Sequence, residues 1–454
     1  MTRQDAGFYA LESTNNPMYL GLLVVLDNAA GVLDRARLAE LVQRRLALTP
    51  RYRCRIREVP FGLGRPVWVP DDAFDVDYHV VRIELAGAAG DGRLRLFDLV
   101  GELAARPLRR DRPLWRIYLV DDLPDGRSAV FVKSHAALVD ADTGADLGHV
   151  ILDPGRTARS VAARPWEPGR APGDVELVLD ALGRLARRPQ AGMEFALRKA
   201  TDAAAAAGDS AAAAVRAAFG GGAGAGLNGP TSSQRRFAAT YTRLADYRTI
   251  QDRTGAGLDD AVLAVIAGAL RGWMFSRGVV LTQSSAVRVL APTTVRDDGT
   301  PDAAVTSMLV DLPVGEADPV MRLSHIRHAR DVNSGVEDIP NAPERTLVNL
   351  AGFAPAGLHA LGIRAASRFA QHTYNLVITN APGPSRSMNI AGARMLEMYP
   401  VLPLLRNQTL SIGVTSCHGK VCHGLTADRA AAGDVDVLTR ELDKAMEEML
   451  DACR

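Results

Sequence analysis

Apolar and polar positions alternate or run together in blocks that mark strands and helices along most of the chain. In the first third, YLGLLVVLD and AVFVKSH read as strands, while LDRARLAELVQRRLAL and LVGELAARPL carry helical spacing. FAATYTRLADY opens a second ordered stretch. It is followed by LDDAVLAVIAGALRGWMF, where Leu258, Val262, Ile266 and Leu270 share one helix face. AVRVLAPTTV, SMLVDLPV and NLVITNAP then read as strands, and LSIGVTSCH and KVCHGLTAD as a strand pair turning at Gly419. Between the two stretches, ATDAAAAAGDSAAAAVRAAFGGGAGAGLNGP is alanine-rich and then glycine-rich, which predicts helix followed by flexible crossover.

The predicted organisation is mixed α/β (α+β): a first domain over 1–165, a linker over 166–230 and a second domain over 231–454. A chain of 454 residues exceeds the size at which one core usually stays undivided, which agrees with two domains. With 53 Lys+Arg against 52 Asp+Glu, the net charge of +1 gives no field that would recruit nucleic acid. Four cysteines, Cys54, Cys417, Cys422 and Cys453, are too few for a disulfide framework, and MTRQDAGFYALES lacks a signal-peptide pattern. A cytoplasmic location is expected, and no run reaches the length needed to span a bilayer.

Chemistry concentrates in FVKSHAALVDADTG. Alternation should end near His135, leaving the next residues in a loop, with Asp140 five positions on. Taken alone, this spacing fits a strand-end histidine bonded to backbone, with Asp140 capping a turn, better than a catalytic group. Asn380 stands at a strand end before a Pro-Gly turn, where an amide could orient substrate or simply cap the turn. Cys417, His418, Cys422 and His423 offer four metal ligands. In a hairpin, however, adjacent Cys and His point to opposite faces, so no metal site is expected. Arg106, Arg109, Arg110 and Arg112 cluster before the motif and suit either a phosphate-rich coenzyme or a solvated face.

These segments together resemble the bacterial wax ester synthase/acyl-CoA:diacylglycerol acyltransferase family. The resemblance runs nearly end to end, through DAGFYALESTNNPMYLG, RPLRRDRPLWRIYLV, VKSHAALVDADTGADL, LAPTTVR and NLVITNAPGPSRSMNIAGARMLEMYPVLPL. It implies two chloramphenicol-acetyltransferase-like domains around a central tunnel. Acyl-CoA would be the co-substrate, with no other cofactor, and a hydroxylated lipid the acceptor. Peripheral contact with a membrane or lipid droplet is also implied. In the family motif HHxxxDG the second histidine is the general base; here Ala136 takes its place and Ala141 that of the glycine. His135 is expected to be packed rather than to substitute for it. Asp140 would hold the motif loop by pairing with Arg296, which ends APTTVR with Thr294 in the place of the family's serine. Trp115 and Glu12 match positions associated with the acyl channel or with structural support; core packing is the simpler role for Trp115. The implied function is transfer of a long acyl chain to diacylglycerol or a long-chain alcohol, impaired by the missing imidazole. A non-catalytic lipid or acyl-CoA binding protein, or transfer to another hydroxylated metabolite, stays open.

Overall fold

The computed structural model describes residues 1–85, 92–139, 147–155, 166, 168–187, 226–296, 302–334, 346–349, 374–384 and 386–454. In chain order the strands are β1 (Tyr19–Asp27), β2 (Cys54–Arg57), β3 (Val67–Pro70), β4 (Val80–Glu84), β5 (Trp115–Leu123), β6 (Arg127–His135), β7 (Asp153–Pro154) and β8 (Arg235–Arg243). There follow β9 (Val287–Arg296), β10 (Asp302–Leu312), β11 (Thr346–Asn349), β12 (Leu376–Ala381), β13 (Met388–Ile390), β14 (Ala393–Val401), β15 (Leu410–Cys417) and β16 (Lys420–Asp428). The first sheet runs β4-β5-β6-β1-β14-β13-β7 and the second β11-β10-β9-β12-β15-β16-β8. The short β2–β3 pair stands apart.

The central strand β1 pairs antiparallel with β6 on one side and β14 on the other, setting Tyr19 opposite His135. Both of its faces are covered. Its sequence is accordingly a continuous apolar run rather than an alternation. The helix Leu258–Ser276 lies on the second sheet between the helices Pro319–Ser334 and Val435–Ala452. Of the expected face, Leu258 is half-buried and Val262, Ile266 and Leu270 are buried, but so is every residue from Asp260 to Leu270. Helices pack on several sides, and alanines and Gly268 on the other faces let them approach.

One feature departs from the expected domain plan. Residues 388–401 lie in the second half of the chain, yet β14 pairs with β1, and β13 pairs with β7, so both belong to the first sheet. The 231–454 stretch is therefore not topologically self-contained. Where β14 crosses, Pro400 lies directly on the second sheet at two glycines. A Cβ on Gly424 would sit 2.0 Å from the Pro400 carbonyl oxygen, and one on Gly413 2.6 Å from Pro400 Cβ. Any side chain there would force the two sheets apart.

The crossing is also held electrostatically. The buried carboxylate of Glu397 accepts from Arg93 (3.0 Å), Lys420 (2.9 Å) and the Tyr399 hydroxyl (2.8 Å). Arg93 comes from the helix Gly92–Ala105 and Lys420 from β16, so one carboxylate joins three elements. Burial pushes the Glu397 carboxyl up, but Arg93, Lys420 and Tyr399 outweigh it and hold the group below the usual range.

Candidate active site

β6 ends at His135, as its alternation predicts, and residues 136–138 form a turn. The turn is fixed by its own backbone: Ala136 N donates to Met18 O (2.9 Å) and Leu138 N to His135 O (2.9 Å). Ala137 N donates to His135 Nδ1 (3.0 Å). An Nδ1 that accepts from a backbone amide places the proton of a neutral ring on Nε2, which faces Glu12 Oε2 at 3.9 Å. The ring lies between Tyr9 and Tyr19, with centroids 6.1 and 5.9 Å away. His135 thus stands where a packed, turn-holding residue should.

Ala136 has different neighbours. It is fully buried in an apolar cluster with Phe8, Met18 and Leu20 from the first half of the chain and Leu290, Val377 and Leu402 from the second. Residue 136 therefore places a methyl group at the junction of the two sheets.

Glu12 caps the end of the helix Arg3–Leu11 and accepts from Arg110 at 3.0 Å. The Tyr19 hydroxyl accepts from Leu108 N (2.9 Å) and bonds to Glu12; burial first, and Glu12 second, push its phenol well up. Lys133 completes this network, although nothing in the sequence reading singled it out. Its ammonium is buried, donates to Leu103 O (2.7 Å) and to Arg106 O, and lies 4.0 Å from the centre of the Tyr19 ring. It neutralises carbonyls at the C-terminal end of the helix Gly92–Ala105. Burial lowers its pKa well below that of an ordinary lysine. A lysine inside an apolar strand was the available signal.

Asn380 does not face the Ala136 cluster. Leu376 and Ile378, its same-face neighbours on β12, pack into the core under the helix Leu258–Ser276, while Val377 packs into the Ala136 cluster. Asn380 accordingly donates to Asp259 Oδ1 (2.8 Å) at the start of that helix. The Pro-Gly turn signalled where the strand ends, but the face depends on register. Asp140, Ala141 and the side chain of Arg296 lie outside the described residues, and with them the expected Asp140–Arg296 pair.

The model of the wax ester synthase/diacylglycerol acyltransferase catalytic domain matches residues 1–262, and that of the WS/DGAT C-terminal domain residues 303–450. The chain belongs to this family. It is 38% identical over 260 residues to a probable diacylglycerol O-acyltransferase, tgs3, of Mycobacterium tuberculosis, covering 56% of this chain and 95% of the relative. The wax ester synthase/diacylglycerol acyltransferase from Marinobacter aquaeolei VT8 superposes with a TM-score of 0.68 at 22% identity, over 100% of this chain and 99% of that one. The first condensation domain of the CDA synthetase superposes with a TM-score of 0.53 at 16% identity, over 100% and 96%. The fold is thus the two-sheet, chloramphenicol-acetyltransferase-like architecture.

In this WS/DGAT chain, Trp115 is a core residue. It is fully buried, donates from Nε1 to Tyr52 O (2.7 Å) and stacks on His79 at 4.1 Å. His79 Nδ1 donates in turn to Trp115 O (2.8 Å). Burial depresses His79 to about 4, and His423, buried beside Thr242, also to about 4. The unfolded chain binds protons on these imidazoles below about 6.5 and the folded chain does not. Their contribution is therefore fully present above that value and lost as pH falls toward 4. Chemical denaturation at pH 5.5 should give a stability about 3 kcal/mol lower than at pH 7.5 from the two groups together. An unchanged free energy of unfolding would contradict this assignment.

The four arginines each have an internal partner: Arg106 with Glu102, Arg109 with Asp111, Arg110 with Glu12 and Arg112 with Asp71. A coenzyme phosphate would have to compete with those carboxylates. In the β15–β16 hairpin alternation separates Cys422 from His423, but His418 lies in the turn with Gly419, both at positive φ, and its ring bonds to the backbone of Met395 on β14, the side on which Cys417 also packs. Cys417 and Cys422 pack toward the first sheet and His423 toward the helices. Burial pushes the two thiols up to about 12 and about 11. Among the described residues no three His, Cys, Asp or Glu side chains converge as a metal site, and no helix is long and apolar enough to cross a membrane.

Proposed function

We propose that this chain is an acyl-CoA-dependent O-acyltransferase that moves a long acyl chain onto the hydroxyl of diacylglycerol or a long-chain alcohol. The observation that carries the reading is the placement of the motif: in a WS/DGAT family chain, β6 delivers position 136 into an apolar cluster built from both sheets. Such a cluster suits an acyl chain and excludes water from the reacting carbonyl.

In the reaction, the acceptor oxygen bonds to the thioester carbon, the carbon–sulfur bond breaks, and the hydroxyl proton is transferred on the way to the departing thiolate. No covalent acyl-enzyme is needed. His135 holds the turn, Tyr9 and Tyr19 flank its ring, and Asp140 with Arg296 would hold the loop. With Ala136 in the base position, binding and orientation remain as the chain's contribution, and these alone can support slow transfer. Apolar substrates also call for peripheral contact with a membrane or lipid droplet, from which they would be taken. Acyl-CoA is the only coenzyme required, as co-substrate.

Ala136 itself favours a second reading, a lipid or acyl-CoA binding protein without catalysis. Incubation with labelled palmitoyl-CoA and diacylglycerol separates the two. Triacylglycerol formed by the unmodified chain as well as by an Ala136→His variant supports the transferase reading; binding without product in the unmodified chain, with product from the variant, supports lost catalysis and so the second.

A further inference from the structure

One row of side chains crosses the second sheet at the level of the Ala136 cluster. In register it reads Leu290, Val377, Ser411, Thr426 and Phe237, on β9, β12, β15, β16 and β8. Leu290 and Val377 belong to the Ala136 cluster itself, and Phe237 packs into the core of the first sheet. Leu410, Ile412 and Val414 alternate onto the opposite, helix-covered face. Ser411 must therefore face the first sheet, as Gly413 does where it meets Pro400 and Leu402. Thr426 shares its face with Gly424, which meets the same Pro400.

Both hydroxyls are deeply buried, Ser411 at 0% and Thr426 at 2% exposure, and neither has a hydrogen-bond partner among the described residues. A buried hydroxyl left without a partner is unfavourable, and alanine and valine would fill these strand positions without that penalty. Two such groups, directly opposite each other across one strand pair, call for a partner that the described residues do not supply. No charged side chain stands in the row, so the partner is a neutral oxygen, and hydroxyls that can donate side by side suit a carbonyl. The Thr415 hydroxyl also has no partner among the described residues, but it lies beyond the Gly413–Pro400 contact and outside this row.

We propose that Ser411 and Thr426 form a two-hydroxyl subsite that hydrogen-bonds a neutral carbonyl oxygen of the lipid substrate, beside the apolar cluster that receives its chain. The inference rests on the acyl-transfer reading. The carbonyl has two sources, the thioester of acyl-CoA and an ester of the glyceride acceptor, and paired ligands distinguish them.

Calorimetry would compare palmitoyl-CoA with its hexadecyl thioether, which lacks the carbonyl, and dihexanoylglycerol with its diether. In the unmodified chain the carbonyl-bearing member of one pair should bind more tightly, by about 3- to 10-fold for each hydroxyl engaged. The pair that discriminates identifies the source. In the Ser411→Ala/Thr426→Val double variant that preference should vanish while Tm holds or rises, because an unsatisfied hydroxyl has been removed. A preference absent from both pairs, as expected if only buried water meets these hydroxyls, overturns the subsite. So does one that survives in the double variant, or a double variant whose Tm collapses. Failure of all four ligands to bind overturns the acyl-transfer reading and the subsite together.

Discussion

Replacing Ala136 with histidine is expected to raise acyl transfer from palmitoyl-CoA to diacylglycerol by about 10²- to 10⁴-fold, the usual contribution of a positioned general base. The backbone at this position is already held, since Ala136 N donates to Met18 O and the following amide donates to His135 Nδ1. The new side chain would enter the cluster bounded by Phe8, Met18, Leu290 and Val377. An imidazole in apolar surroundings is depressed below its ordinary pKa, so it remains neutral near pH 7 and able to accept the hydroxyl proton. The same surroundings should lower stability by about 1–3 kcal/mol, through overpacking and an incompletely bonded ring nitrogen. Faster turnover with a lower Tm is the expected combination. A variant that keeps its fold and binds palmitoyl-CoA yet makes no more triacylglycerol than the parent would show that more than the base is missing.

Much of this site can be read in the sequence, and the rest has a common cause. That β6 stops at His135 and that Cys422 and His423 point apart follow from local alternation, which a window of a few residues contains. The positions of Asn380, Ser411 and Thr426 do not. Small or polar residues at alternate places, Ser411, Gly413 and Thr415 in LSIGVTSC and Gly424 and Thr426 in KVCHGLTAD, look like a solvated strand face. It is buried because β14, from a distant stretch of chain, lies over it. Similarly, NAPGP marks the end of β12, but which face carries Asn380 depends on the sheet register. The exchange of β13 and β14 into the first sheet is a long-range pairing, invisible to periodicity. Lys133 is the intermediate case: a charge in an apolar strand was visible, whereas its partners, the carbonyls of Leu103 and Arg106, were not.

Substituting Asp153 with alanine should destabilise the chain by about 3–5 kcal/mol, measured by chemical denaturation, because it strands a buried charge. Arg45 is 2% exposed and Asp153 is fully buried; Arg45 Nη2 donates to Asp153 Oδ2 at 2.7 Å and Nη1 to Val150 O at 3.0 Å. The guanidinium therefore grips the chain twice just after the motif loop, at Val150 and at β7, whose partner β13 belongs to the crossing pair. Asn389 on β13 adds a bond to Asp153 O at 3.3 Å, so the pair anchors the motif's exit to the junction of the two sheets. An Arg45→Met/Asp153→Leu double variant removes both charges together and should recover most of the stability lost in Asp153→Ala. If the anchor matters for chemistry as well as folding, that stable double variant, combined with Ala136→His, should transfer acyl chains more slowly than Ala136→His alone. Equal rates would confine the ion pair to holding the fold.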